Sequence, residues 1–129
     1  MAVEGEGMIA IVDRSDLARA MTCERAIVML HAEWSMQSTK NFELVEQWER
    51  DWREAGRVPE FDGFVVITDN TYPGFIVEWL RNQQRLKGYL ATGWGEIIWL
   101  DRGRVLDVQW CGKTAERLRE TANAFWDRR

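Results

Sequence analysis

Apolar positions along this chain alternate between short unbroken runs and a wider helical spacing, the pattern of an α/β domain. Met8 to Val12 is a short apolar run and predicts a first strand. Ser15 is placed to cap a helix over Asp16 to Met21, with Asp16 near the positive end of its dipole. Ala26 to His31 is apolar up to its last residue, as suits a central strand covered on both faces. From Met36 to Ala55, the residues Phe42, Val45, Trp48 and Trp52 recur at helical spacing, with Glu49 and Arg53 pairing at i,i+4 on the solvent side. Gly56 and Pro59 end that helix, and Phe64 to Thr68 is the next buried strand.

Pro73 opens a third helix, whose inner face carries Phe75, Ile76, Trp79, Leu80, Gln83 and Leu86. Glu96 to Leu100 and Arg104 to Trp110 flank Asp101-Arg102-Gly103 and predict a hairpin, with Gly103 supplying the positive φ of its turn. Thr114 caps a last helix with Ala115, Leu118, Ala122, Phe125 and Trp126 on its apolar face. The predicted order is β-α-β-α-β-α-β-β-α, with right-handed parallel crossovers and a closing hairpin that makes the sheet mixed. Residues 1–7 read as a disordered lead-in and residues 8–129 as one domain.

Composition narrows the function classes. The chain has 129 residues, 46% apolar and 29% charged, which fits a single globular domain rather than a disordered one. Its net charge of −4, without a basic cluster, offers no general attraction to nucleic acid or to an anionic membrane. No apolar run approaches the roughly 20 residues that span a bilayer. The first residues lack the basic and apolar regions of a secretion signal, so a cytoplasmic protein with reduced thiols is expected. One histidine, His31, and two distant cysteines, Cys23 and Cys111, give no metal-ligand spacing. Neither a Gly-x-Ser-x-Gly elbow nor a phosphate-binding glycine loop occurs, so no metal and no cofactor is expected.

Three strings carry a resemblance. Ala26-Ile-Val-Met-Leu-His-Ala-Glu-Trp34-Ser35-Met36-Gln37-Ser38 resembles the second strand and active-site turn of the thioredoxin family, where Ala-Glu-Trp precedes Cys-Gly-Pro-Cys. Ile97 to Val105 is similar to the family's fourth strand, glycine turn and fifth strand. Cys111-Gly112 falls where the family often has a small glycine-containing loop before its last helix. The resemblance spans roughly residues 8–127 and implies a three-layer α/β/α sandwich around a mixed sheet.

Dithiol exchange needs a thiolate at a helix N-terminus, acidified by the dipole and free N–H groups, and a resolving thiol one turn on. Ser35 and Ser38 stand at those two positions. A serine hydroxyl does not ionise near neutral pH and forms no disulfide. By the same resemblance, the family's buried aspartate falls on Met29, its accompanying lysine near Val65 and its cis-proline near Gly95, in a chain whose only prolines are Pro59 and Pro73. A non-proline cis bond costs about 2.5–4 kcal/mol, so a trans Trp94–Gly95 bond is expected. Three further departures beside two serines point away from a thioredoxin altered only at its cysteines.

Ser35 or Ser38 as a nucleophile would need a base, and His31 is expected to be an ordinary packed or half-exposed histidine. Helix capping is the expected role of the serines, Ser35 above all. The resemblance brings Trp34–Ser38, Gly93–Glu96 and Trp110–Gly112 to one edge of the fold. Trp34, Trp94, Gly95 and Cys111 are therefore the candidate binding residues, against the alternative that these tryptophans and Cys111 are core. Redox-inactive members of the family serve in folding, assembly or recognition. The expected function is thus a protein- or peptide-binding, chaperone-like module without enzymatic thiol chemistry. The alternatives are a monothiol redox or thiol-transfer protein using Cys111, and a homodimer joined through the tryptophan-rich face.

Overall fold

A computed structural model of the chain describes residues 8–56, 60–68, 72–83, 95–109 and 115–126. The elements follow the predicted order: β1 (Ile9–Ala10), α1 (Arg14–Thr22), β2 (Arg25–Ala32), α2 (Met36–Glu54), β3 (Asp62–Thr68), α3 (Gly74–Asn82), β4 (Ile97–Asp101), β5 (Arg104–Gln109) and α4 (Ala115–Trp126). The five strands form one sheet in the order β1-β3-β2-β4-β5. β1 and β2 pair with β3 in parallel, whereas β4 runs antiparallel to both β2 and β5. β2 is thus central, and seven of its eight residues are buried.

Alternation along the strands sends side chains into two separate cores. Ala26, Val28 and Leu30 face α1 and α3, where they meet Ala20, Ile76, Trp79 and Leu80. Ile27 and Met29 face α2 and α4, where they meet Val45, Trp48, Trp52, Leu118, Ala122 and Trp126. The result is the expected three-layer α/β/α sandwich. The second core is the aromatic one: Trp48, Trp52, Phe61, Trp99 and Trp126 touch ring to ring at centroid distances of 4.9–5.9 Å.

Three local features differ from the sequence expectation. Ser15 does not cap α1. Asp13 does, accepting from the Asp16 backbone N–H at 3.0 Å, while Asp16 accepts from the Asp13 N–H at 3.2 Å. This reciprocal capping box satisfies two helix donors at once, and Ser15 is left to donate to Asp13 at 2.7 Å. Pro73 is the cap residue of α3 rather than its first helical residue, because the helix starts at Gly74. Glu49 pairs with Arg53 as expected, but it is buried rather than wet. Its position one residue after Trp48 turns it toward β3, and a Cβ on Gly63 would stand 3.5 Å from its Cγ.

The hairpin between β4 and β5 turns at Arg102 and Gly103, with φ of 50° and 81°. Two successive positive φ values give the primed turn that matches strand twist. A Cβ on Gly103 would come within 2.6 Å of the Met21 carbonyl oxygen, so glycine is required twice over. Leu86, Trp110 and Thr114 of the predicted elements lie outside the described residues. No helix among the described residues is long and apolar enough to cross a membrane.

Candidate functional site

β2 ends at Ala32, and the chain turns at once into α2. The backbone is fixed on both sides of the turn: the Glu33 N–H donates to the Thr68 carbonyl at 2.8 Å, and the Ser35 N–H to the Ala32 carbonyl at 3.1 Å. Ser35 takes the N-cap position with extended φ and ψ of −108° and 123°, and its hydroxyl accepts from the Ser38 N–H at 3.2 Å. The expected capping role of Ser35 is what the geometry shows.

Ser38 does something else. It is fully buried, and its Oγ accepts from the Ala32 N–H at 2.9 Å and lies 2.9 Å from His31 Nδ1. The Ala32 bond fills one lone pair of the hydroxyl, and the direction of the Ser38–His31 bond follows from which ring nitrogen carries the proton. Burial holds the His31 pKa below the usual histidine value, against an opposing pull from Glu33, so the neutral ring is favoured. His31 also stacks on Phe42 of α2, with centroids 4.5 Å apart. A serine beside a histidine invites a catalytic reading, but Ser38 is sealed from solvent and its hydroxyl is already engaged. The pair works as a latch between the end of β2 and the first turn of α2.

Gly95 arrives at this turn from the other side. Its φ is +79°, and a Cβ there would stand 3.1 Å from Ser38 Cα and 3.2 Å from Asn41 Cβ. Its carbonyl accepts from Asn41 Nδ2 at 2.6 Å. Only a glycine allows this close approach, and the next residue, Glu96, continues the contact by accepting from the Leu30 N–H at 2.8 Å. Asn41, three residues after Ser38 on the same helix face, escapes a reading of the sequence. A polar residue on that face is the one signal that could have found it. Met29 is fully buried and pairs in register with Val65 and Ile97, so apolar packing fills this part of the sheet beside the turn.

Trp34 lies in the turn itself and is 60% exposed, and Met36 at the start of α2 is 76% exposed. Val12 and Ile67 are the other large apolar residues left exposed among the described residues. Both lie toward the C-terminal ends of β1 and β3, the strands parallel to β2. All four therefore lie toward the same end of the sheet. Trp94, Trp110 and Cys111, and with them the expected trans Trp94–Gly95 bond, lie outside the described residues. Cys23, at the end of α1, has its thiol pushed up to about 11, first by burial and then by Asp62, and so is protonated at neutral pH. Among the described residues no group of three His, Cys, Asp or Glu side chains is arranged for a metal.

No protein-family model and no curated relative matches this chain. Solved structures do match in three dimensions. A mutant thioredoxin from Halobacterium salinarum NRC-1 superposes with a TM-score of 0.66 at 9% identity, over 97% of this chain and 96% of that one. Thioredoxin from Trypanosoma brucei brucei gives 0.66 at 12% identity, over 95% and 99%. Oxidised thioredoxin from Plasmodium falciparum gives 0.64 at 12%, over 92% and 97%. The superpositions span nearly the whole of both partners at identities too low to speak of activity. Strand order, two-core layering and these full-length matches together establish this chain as thioredoxin-like in fold.

Proposed function

We propose that this chain is a redox-inactive thioredoxin-like protein that binds a protein or peptide segment through the edge carrying Trp34, Met36 and the Gly95 turn. One observation carries the reading: both hydroxyls at the start of α2 are engaged in holding the turn, directly beside an exposed tryptophan. Ser35 and Ser38 contribute no thiolate, so the helix dipole has nothing redox-active to acidify. The exposure of Val12, Trp34, Met36 and Ile67 toward the same end of the sheet leaves apolar surface that a partner can bury.

Three measurements test this. The protein should not reduce insulin disulfides above the dithiothreitol background, with or without a thioredoxin reductase. Turnover that disappears in the Cys111→Ser variant would replace this reading with a monothiol one. Captured partners, identified by mass spectrometry and rebuilt from purified components, should bind the wild type more tightly than Trp34→Ala. Equal binding by the two proteins would remove the docking edge. Sedimentation across a concentration series distinguishes a second copy of this chain as the partner.

A further inference from the structure

The opposite end of the sheet from Trp34 carries a cleft of about 510 Å³, within the range of small-molecule sites. It opens where β2 and β3 begin and α2 ends. Four carboxylates line it, those of Glu24, Glu49, Glu60 and Asp62, against the two guanidinium groups of Arg25 and Arg53. The indole of Trp52 and the ring of Phe61, in edge contact with each other at 5.9 Å, supply apolar walls.

Glu49 is the informative residue. It is 2% exposed, on the sheet-facing side of α2, and one carboxylate oxygen is taken by Arg53. Its other oxygen, Oε1, is buried and meets no hydrogen-bond donor. A buried charge with half of its lone pairs unfilled is costly, and nothing in the packing of α2 on β3 requires a carboxylate there. Arg25 does not supply the missing donor: its Nη1 is bonded to Glu24 at 2.7 Å on the rim, and its buried Nε meets no acceptor. Glu24, Glu60 and Asp62 are exposed around the cleft, and with the buried Glu49 they outnumber the two guanidinium groups by two, an excess that attracts a cation. Aromatic walls favour an organic cation over a metal ion, for which the described residues offer no cluster of three ligands.

We propose that this cleft binds an ammonium or guanidinium group on a short aliphatic stem, with Glu49 as the buried counter-charge and Trp52 and Phe61 against the stem. Glu49 Oε1 lies out of reach of solvent, so the cation acts on it by charge across the cleft wall and offsets the excess negative charge of the lining. A free amine and a basic side chain of another protein present the same chemistry, and the test separates them.

Agmatine is titrated into the full-length protein by calorimetry, beside uncharged n-pentanol and an arginine-containing tetrapeptide with blocked ends. Saturable binding of agmatine assigns a free amine as ligand, and binding of the tetrapeptide alone assigns a basic side chain. Either outcome supports the site, whereas n-pentanol binding as well as agmatine would overturn it. Glu49→Gln, with its fold checked by circular dichroism, should weaken the cation roughly tenfold or more. Arg53→Gln removes the competing guanidinium at the cleft surface and should bind the cation more tightly than wild type. If neither probe saturates, or if both substitutions leave the affinity unchanged, the cleft is not a cation site.

Discussion

The Ser38 hydroxyl lies 2.9 Å from His31 Nδ1, out of contact with solvent, and the same oxygen receives the Ala32 backbone N–H. The last residues of β2 are thereby tied to the first turn of α2 through one side chain. The resemblance of the sequence to thioredoxins sets Ser38 against the position of their resolving cysteine. The Ser38 hydroxyl acts there by its hydrogen bonds.

That latch makes stability depend on pH. The pKa of His31 lies below its ordinary value in the folded state because burial disfavours the imidazolium. The unfolded chain therefore binds the proton more readily, and this contribution to stability is fully present above the ordinary histidine pKa. It is lost as pH falls from about 6.5 toward the depressed folded value, below which the loss levels off. Urea denaturation at steps of pH should show this decline, and His31→Phe should flatten it. An equally steep decline in that variant would assign the effect to other groups.

Ser35 accepts the Ser38 N–H at the helix start, so Ser35→Ala should lower stability by about 1 kcal/mol. Ser35→Gly should cost only a few tenths of that amount. Chemical denaturation measures both. A Ser35→Ala variant as stable as the wild type would mean that the bond is not what holds the turn.

Gly95 combines a φ of +79° with a Cβ position 3.1 Å from Ser38 Cα. Gly95→Ala should therefore destabilise by roughly 1–3 kcal/mol, through backbone strain and a shift of the Asn41 bond. Asn41→Ala should perturb the same amide resonances in a two-dimensional NMR spectrum. Non-overlapping sets of shifted resonances would separate the two residues.

Thiols placed at the two serine positions should differ sharply in reactivity. In a Cys111→Ser background, Ser35→Cys puts a thiol at a helix N-terminus and should be alkylated at neutral pH at least roughly a hundredfold faster than Cys23. Cys23, held at about 11, stays a thiol there. Ser38→Cys, buried under Gly95, should react slowly until the protein is unfolded. Mass spectrometry of timed iodoacetamide reactions gives the order, and rapid labelling of Ser38→Cys would show that the turn opens.

Element order is legible in the chain because periodicity is local: the runs Ala26–His31 and Phe64–Thr68 and the stripe Phe42, Val45, Trp48 and Trp52 announce strand and helix directly. Ser35 as a cap and Gly103 as a turn glycine are equally local, since each answers to backbone groups only a few residues away. Asp13, rather than Ser15, as the cap of α1 shows the limit of that reasoning, because two acceptors two residues apart compete and only the reciprocal bond with Asp16 decides between them.

Relationships between elements belong to the folded state alone. His31 and Ser38, Asn41 and Gly95, and Glu49 with the cleft at the start of β2 and β3 depend on how helices lie across the sheet. In the sequence Glu49 reads as half of a solvent-exposed i,i+4 pair. The helix is there, but the packing of α2 on β3 settles which of its faces turns inward. Backbone conformation follows from neighbours along the chain, whereas burial and partnership follow from neighbours in space. The order of residues therefore states the fold, and only the folded sheet reveals what the hydroxyls of Ser35 and Ser38 hold together.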